Sequence, residues 1–384
     1  MVREIIVLTP IYVSLFWSVV FLTNKFSVNK ARYWLGIFMA VVAVLYSCHA
    51  VYFQGYEELY LKLDSLYLFS GLSVYPMYYI YVRLLTCDLK LKRSYILHFI
   101  PAFILFAALF VTGFFLNQDE EKLYYESVLV DNKWPGQEAS SLLNTTAALF
   151  FSSRVIFGLQ TLVYLFLGYM LAKKYNQRIA NFYSNMEGRE LVWVKLLTTS
   201  FLITSLASFV VNILGRGLFF EHDFILAVPS VLFSSLFFVI GLQGNKQDFT
   251  IRSLSEDEDK ESGTVKSNED LRTESLKNEL VRLLEDEKIY LNPELKITEL
   301  CRELNTNRTY LSNLINHEFR VSFNDLINRY RVQHAISLFE NGMGNNVSLN
   351  DMAAASGFGS LSSFNRAFKK NTGTTVGRYR IGAG

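Results

Sequence analysis

A chain of 384 residues is long enough for roughly two to three domains. Its hydrophobic content of 51% lies only slightly above that of a globular protein, and a net charge of +2 excludes a uniformly basic or acidic chain. Three cysteines (Cys48, Cys87 and Cys301) with no CxxC or metal-ligand spacing argue against a disulfide framework and read as unpaired structural thiols.

The bulk figures hide a division, because nearly all long apolar runs lie before Gly244. A transmembrane helix needs about 20 mostly apolar residues. Seven segments qualify: Ile5–Thr23, Tyr33–Phe53, Leu66–Leu85, Tyr95–Leu116, Ala147–Ala172, Leu191–Leu214 and Phe224–Gln243. The first is too long for a signal-peptide core and no small-residue cleavage site follows it, so it reads as a retained helix. Loops after segments one, three and five carry Lys25, Lys30 and Arg32, then Arg83, Lys90, Lys92 and Arg93, then Lys173, Lys174, Arg178 and Arg189. The intervening loops hold few cations and carry Glu57, Glu58, Asp119, Glu120 and Glu121. Positive loops stay inside, so the amino terminus is expected outside and the carboxyl-terminal tail in the cytoplasm.

In that orientation His49, Tyr52, Arg154, Asn212, Arg216, His222 and Asp223 fall toward the outer side. Ionisable groups within a bilayer usually face a protein interior or a cavity. Arg154, His49, Asn212 and Arg216 are therefore the candidate ligand contacts. Arg154, about seven residues into its segment and roughly 10 Å deep, has the competing reading of a snorkelling or ion-paired side chain. Tyr75, Tyr78, Tyr79 and Tyr81 read as interfacial or packing residues, with pocket lining as the alternative. Pro10, Pro76, Pro101 and Pro229 sit in or at the edges of these segments, where kinks are tolerated. The loop from Asn117 to Asn144, with its Trp134-Pro135-Gly136 turn, defines no binding motif. No HExxH, GxSxG or Walker loop occurs, so neither catalysis nor a cofactor is expected.

Residues 245–272 contain the acidic run Ser-Glu-Asp-Glu-Asp-Lys-Glu-Ser-Gly (255–263) and almost no large apolar residue, the composition of a disordered linker. Beyond it, Leu276, Leu280, Leu283 and Leu284 recur at helical spacing, and Asn292-Pro293 marks a turn. Then Ile297–Leu304 and Arg308–Ile315 read as two short helices joined by Asn305-Thr306-Asn307, with Asn307 as cap. Asn305 tolerates the left-handed backbone of such a turn. Leu300, Leu304, Leu311 and Leu314 fill the seam, while Arg308, Thr309, Ser312 and Asn313 lie at the start of the second helix, the part that enters a major groove.

Some fifty residues later the pattern returns. Ser348 and Asp351 form a capping box, Gly357 makes the turn, and Ser360 caps a helix running to about Asn371. Phe358, Phe364 and Phe368 are expected in the core, with Leu361, Ser362, Asn365 and Arg366 pointing out. Arg366 suits guanine or phosphate, whereas Lys369 and Lys370 suit phosphate. Ser322 to Phe339 reads as one connecting helix closed by Asn341-Gly342, able to hold the two units to successive major grooves about 34 Å apart.

At residues 290–380 the chain resembles the AraC/XylS-type transcription regulators. The resemblance is carried by Gly357-Phe358, Ser363-Phe364, Arg366, Phe368-Lys369, Gly373 and Tyr379-Arg380, and in the first unit by Leu300, Tyr310-Leu311-Ser312, Phe323, Tyr330-Arg331 and Ala335. It departs at Cys301, Asn305, Val376 and Ile315-Asn316, the last replacing an aromatic-lysine pair and removing a phosphate contact. From Lys296 onward there are eleven Lys and Arg against six Asp and Glu. That modest excess implies weak non-specific binding by a monomer, and dimerisation is a way to gain affinity.

The expected architecture is all-α: a seven-helix membrane domain over 1–244, a linker over 245–272 and a two-unit DNA-binding domain over 273–384. The expected function is a membrane-tethered transcription regulator whose partners are promoter DNA, the bilayer, an unidentified ligand and a second copy. The alternatives are a transporter-like protein with a regulatory tail, or a membrane store from which the tail is released by proteolysis.

Overall fold

The computed structural model describes residues 2–23, 29–87, 92–136, 139–191, 194–195, 197–203, 205–206, 223–247, 251, 254–255, 273–341 and 347–383. Among them the regular elements are all helical, and the one extended pairing is an isolated antiparallel bridge between Tyr183 and Lys296. The expected linker falls almost wholly outside the described residues, as do Asn212, Arg216, His222 and Gly342. Contacts divide the chain into two units. Met1–Ala172 with Leu191–Ile251 forms one, and Lys173–Glu190 with Arg252–Gly384 the other.

The first unit begins with α1 (Val2–Leu22), α2 (Lys30–Phe53) and α3 (Glu57–Thr86). A 3₁₀ turn at Arg93–Phe99 leads into α4 (Ile100–Phe114), and α5 (Gln118–Leu123) precedes a π turn at Tyr124–Val130. Then come α6 (Ser141–Ala180), whose residues from Lys173 belong to the second unit, and α7 (Asp223–Lys246). Asn29 starts α2 by accepting from the Arg32 amide at 3.0 Å. Asn117 and Glu120 start α5 with a reciprocal capping box. Pro10, Pro76 and Pro229 lie inside α1, α3 and α7. Helices α1 and α2 approach closely because Gly36 has no side chain: an added Cβ would lie 3.0 Å from Leu22 and Phe21. The Ser18 hydroxyl uses that proximity to donate to the Gly36 carbonyl at 3.0 Å.

Among the described residues five helices are long and apolar enough to cross a membrane: Glu4–Leu22, Lys30–Phe53, Arg93–Phe114, Ser141–Ala180 and Leu226–Lys246. That is two fewer than the seven expected segments. The segment Leu66–Leu85 lies within α3, a helix of 30 residues, and its Tyr67, Tyr75, Tyr78, Tyr79, Tyr81 and Arg83 dilute its apolar character. The segment Leu191–Leu214 is described only in part, with residues 197–203 helical. Tyr75, Tyr78, Tyr79 and Tyr81 are buried within the protein, as packing residues are.

The second unit contains α8 (Thr273–Glu285), α9 (Ile297–Glu303), α10 (Arg308–Leu314), α11 (Phe323–Glu340), α12 (Leu349–Ala355), α13 (Leu361–Thr372) and α14 (Val376–Ala383). The leucine stripe of α8 is buried as its spacing requires, each side chain contributing about 1.5–3 kcal/mol. Helix α8 ends at Glu285, and Lys288 turns left-handed before a 3₁₀ turn at Ile289–Leu291. Helix α11 spans 18 residues, about 27 Å at 1.5 Å per residue. Ser322 caps its start and Asn341 its end. Its later half packs with Phe358, Phe364, Phe368 and Val376 into one core.

Candidate nucleic-acid interface

In the first helix pair Asn305 adopts φ +46°, the left-handed turn its side chain tolerates. Asn307 caps α10 by accepting from the Tyr310 amide at 2.8 Å. Leu300, Leu304, Leu311 and Leu314 close the seam, each at most 5% exposed. This leaves Thr309 and Asn313 exposed and Ser312 half-buried at the helix start. Arg308 does not project freely, because its guanidinium lies 5.6 Å from the Phe182 ring. Ile315 is fully buried and Asn316 exposed. The helix thus ends with a neutral side chain outward.

The second pair is built more sharply. Gly357 turns at φ +80°, and a Cβ there would lie 2.7 Å from the Leu291 Cα, so both conformation and space require glycine. Ser360 caps α13 by accepting from the Ser363 amide at 3.2 Å. Gly373 ends the helix at φ +75°. Ser362, Asn365, Arg366 and Lys369 are exposed at positions i, i+3, i+4 and i+7, and therefore form one row along the helix. Leu361 departs from its expected outward position: it is half-buried and packs against the phenylalanine core, since an apolar side chain at the first turn has that core within reach.

Two members of this face already hold carboxylates. Arg366 pairs with Glu190, and the Ser360 hydroxyl donates to Glu187. Lys370 pairs with Asp325 on α11 at 2.6 Å. Glu187 and Glu190 belong to residues 181–190, which follow α6 directly and which sequence reading treated only as a charged loop. The signal available was Phe182-Tyr183, an aromatic pair in an otherwise polar stretch.

That segment is packed onto the unit. The Ser184 amide donates to the Leu295 carbonyl at 3.0 Å, and the Ile297 amide donates to the Phe182 carbonyl at 3.0 Å. Phe182, Tyr183 and Ser184 are each 1% exposed. Arg331 on α11, also buried, donates to the carbonyls of Tyr290 at 2.7 Å and Asn292 at 2.6 Å, and to the Ser184 hydroxyl at 3.1 Å. Burial lowers its pKa to about 10, so it remains charged at neutral pH. Glu294 receives Arg189 at 2.7 Å and Asn185 at 3.1 Å. Burial raises its pKa, but these donors prevail and hold it below the usual value. A polar cavity of about 260 Å³ remains between segment, α11 and α13, lined by Asn185, Glu190, Asp325, Asn328 and Arg366 among others.

The first unit offers a different kind of site. A mainly apolar cavity of about 240 Å³ is lined by Tyr46, His49, Tyr67, Tyr75, Ser205 and Ser230 with aliphatic and phenylalanine neighbours. His49 stacks against Tyr46 at 5.5 Å and Phe53 at 5.8 Å. Arg154 is not among the lining residues. It lies 4.4 Å from the Phe150 ring and donates to Asn132, the arrangement of a structural cation. Of the four expected ligand contacts, the structure brings His49 alone to this cavity, and Asn212 and Arg216 lie outside the described residues. Among the described residues no cluster of His, Cys, Asp and Glu has the form of a metal site.

Residues 300–381 match the helix-turn-helix domain family. The tail carries a helix-turn-helix domain. Over 117 residues the chain is 29% identical to the uncharacterized HTH-type transcriptional regulator YtdP of Bacillus subtilis (strain 168), a stretch covering 30% of this chain and 14% of that protein. No solved structure gives a match. The helix-turn-helix domain implies binding to double-stranded DNA.

Proposed function

We propose that the chain is a membrane-tethered, sequence-specific transcription regulator. Its amino-terminal helices, seven by sequence, cross the bacterial cytoplasmic membrane with the amino terminus outside, and the helix-turn-helix domain reads promoter DNA from the cytoplasm. The observation that carries this reading is the exposed row Ser362, Asn365, Arg366 and Lys369 on a capped helix, in one chain with five helices of membrane-spanning length and composition. Arg366 and Asn365 supply donors for base edges, and Lys369 a phosphate contact. Thr309 and Asn313 add a weaker second reading head. Signal enters through the apolar cavity around His49, which suits a small, mostly apolar ligand with one or two polar groups for the Tyr75, Ser205 and Ser230 hydroxyls. A second copy of the chain on the DNA would raise affinity by effective concentration.

The test uses the full chain in lipid nanodiscs with a labelled duplex of about 30 base pairs, long enough for two successive major grooves. Expected are recovery from the membrane fraction and binding that weakens steeply with salt. A protein that sediments as soluble, or a duplex that stays unbound at low salt, would overturn the reading.

A further inference from the structure

We propose that the face of the helix-turn-helix domain spanning Leu295–Ile297, Arg331 and α13 is a docking surface for this chain's own residues 181–190, and that docked segment and DNA exclude one another. The inference rests on the proposed function above, since it assigns a competitor to the same DNA-reading face.

Three features of the segment match this surface. Its backbone joins Leu295–Ile297 through two hydrogen bonds, as an added strand does. Its aromatic pair is buried, with Arg308 of the first reading head against Phe182 and Arg189 lying 4.4 Å from the Tyr183 ring. Its two carboxylates then reach α13, Glu187 at Ser360 and Glu190 at Arg366. Carboxylate oxygens are acceptors of the kind a phosphate or a guanine edge presents to the same donors. Asn324 adds a bond to the Ser184 carbonyl at 2.6 Å, so α11 holds the segment from the opposite side.

With the segment docked, Ser360 and Arg366 are engaged, while Ser362, Asn365 and Lys369 stay exposed. A duplex laid along Ser362, Asn365 and Arg366 must displace Glu190 and bring phosphates toward two carboxylates of like charge. Apparent affinity for DNA then falls with the fraction of open chains.

The test has a docking arm and a competition arm, both in the full chain in nanodiscs with a mixed-sequence duplex. Asn185 and Gly359 adjoin: a Cβ on Gly359 would lie 2.8 Å from the Asn185 Nδ2. The N185C/G359C pair, with the exposed Cys87 replaced by serine, is expected to cross-link under mild oxidation. Cross-linking is expected to abolish DNA binding, and reductant to restore it. Separately, E187Q/E190Q is expected to bind about fivefold tighter than wild type, whereas E274Q/E340Q, removing the same charge at exposed positions elsewhere, stays within about twofold. Failure to cross-link, equal binding by oxidised and reduced forms, or equal gains in both glutamine pairs would overturn the inference. Absence of DNA binding by every form, reduced and unlinked included, would instead overturn the regulator reading and this inference with it.

Discussion

Arg331 and Ser184 lie 147 positions apart, yet the arginine donates to both the serine carbonyl, at 3.4 Å, and its hydroxyl, at 3.1 Å. The same guanidinium holds the Tyr290 and Asn292 carbonyls. One buried cation thus organises the loop before α9 and the segment after α6 together.

Replacing Arg331 with methionine removes the side-chain donor of the Tyr290 carbonyl, and one of two donors at the Asn292 and Ser184 carbonyls, which keep the Leu295 amide and Asn324. Each unsatisfied buried group costs about 1–3 kcal/mol, and loss of a buried charged partner about 3–5 kcal/mol in all. The variant is expected to lose most of the helix-turn-helix domain's thermal stability. R331K is expected to remain impaired, because an ammonium lacks the planar fork that reaches three carbonyls. Calorimetry of the full chain checks both, and a wild-type midpoint for R331M would refute the role.

Gly357→Ala is expected to destabilise the domain by more than the roughly 1–2 kcal/mol of a left-handed non-glycine residue, because the new methyl also meets the Leu291 backbone. Asn305→Gly, at the equivalent turn of the first pair, should change stability by less than about 1 kcal/mol. Urea unfolding midpoints distinguish the two turns.

The DNA face divides its labour. R366A is expected to cost about 1–3 kcal/mol on a preferred sequence and to relax discrimination at one base position. K369A is expected to weaken all duplexes alike and reduce the salt slope by about 1. N316K should restore a phosphate contact to the first unit and tighten binding. Salt titrations with matched and scrambled duplexes separate these effects.

Acid should weaken the domain in two windows. Burial, then the charge of Lys288, lowers the pKa of His334, so the unfolded chain takes up a proton first and stability falls as pH drops below 6.5. Glu294 is held below 4.5, so its contribution is present above that value and is lost as pH falls through the folded pKa. H334Q should flatten the upper window and E294Q the lower one in melts recorded across pH. Unchanged profiles would show that neither group is coupled to folding.

The helix-turn-helix pairs were legible because their signals are local. Asn307 and Ser360 cap, Asn305 and Gly357 turn, and Phe364 and Phe368 repeat at four residues. Local periodicity also gave the apolar helices, but the tyrosines of α3, Tyr75, Tyr78 and Tyr81 among them, show why helical length alone did not fix their number. Leu361 was misplaced because a helical wheel does not show where the core of α14 and α11 approaches. The pairing of Ser184 with Leu295 was invisible for a different reason. Ten residues with no period of their own gain their order only from a surface assembled far along the chain.

The order in which the ribosome releases these parts gives the separation of Ser184 and Arg331 another meaning. At about 5–20 residues per second, 147 residues take roughly 7–30 s to synthesise. Throughout that interval Phe182 and Tyr183 have no partner surface, and they present two bare aromatic rings to whatever chaperone or neighbour is at hand. The same exposure awaits the other side of the contact in any fragment begun at Thr273, which would emerge with the place for those rings empty and prone to self-association.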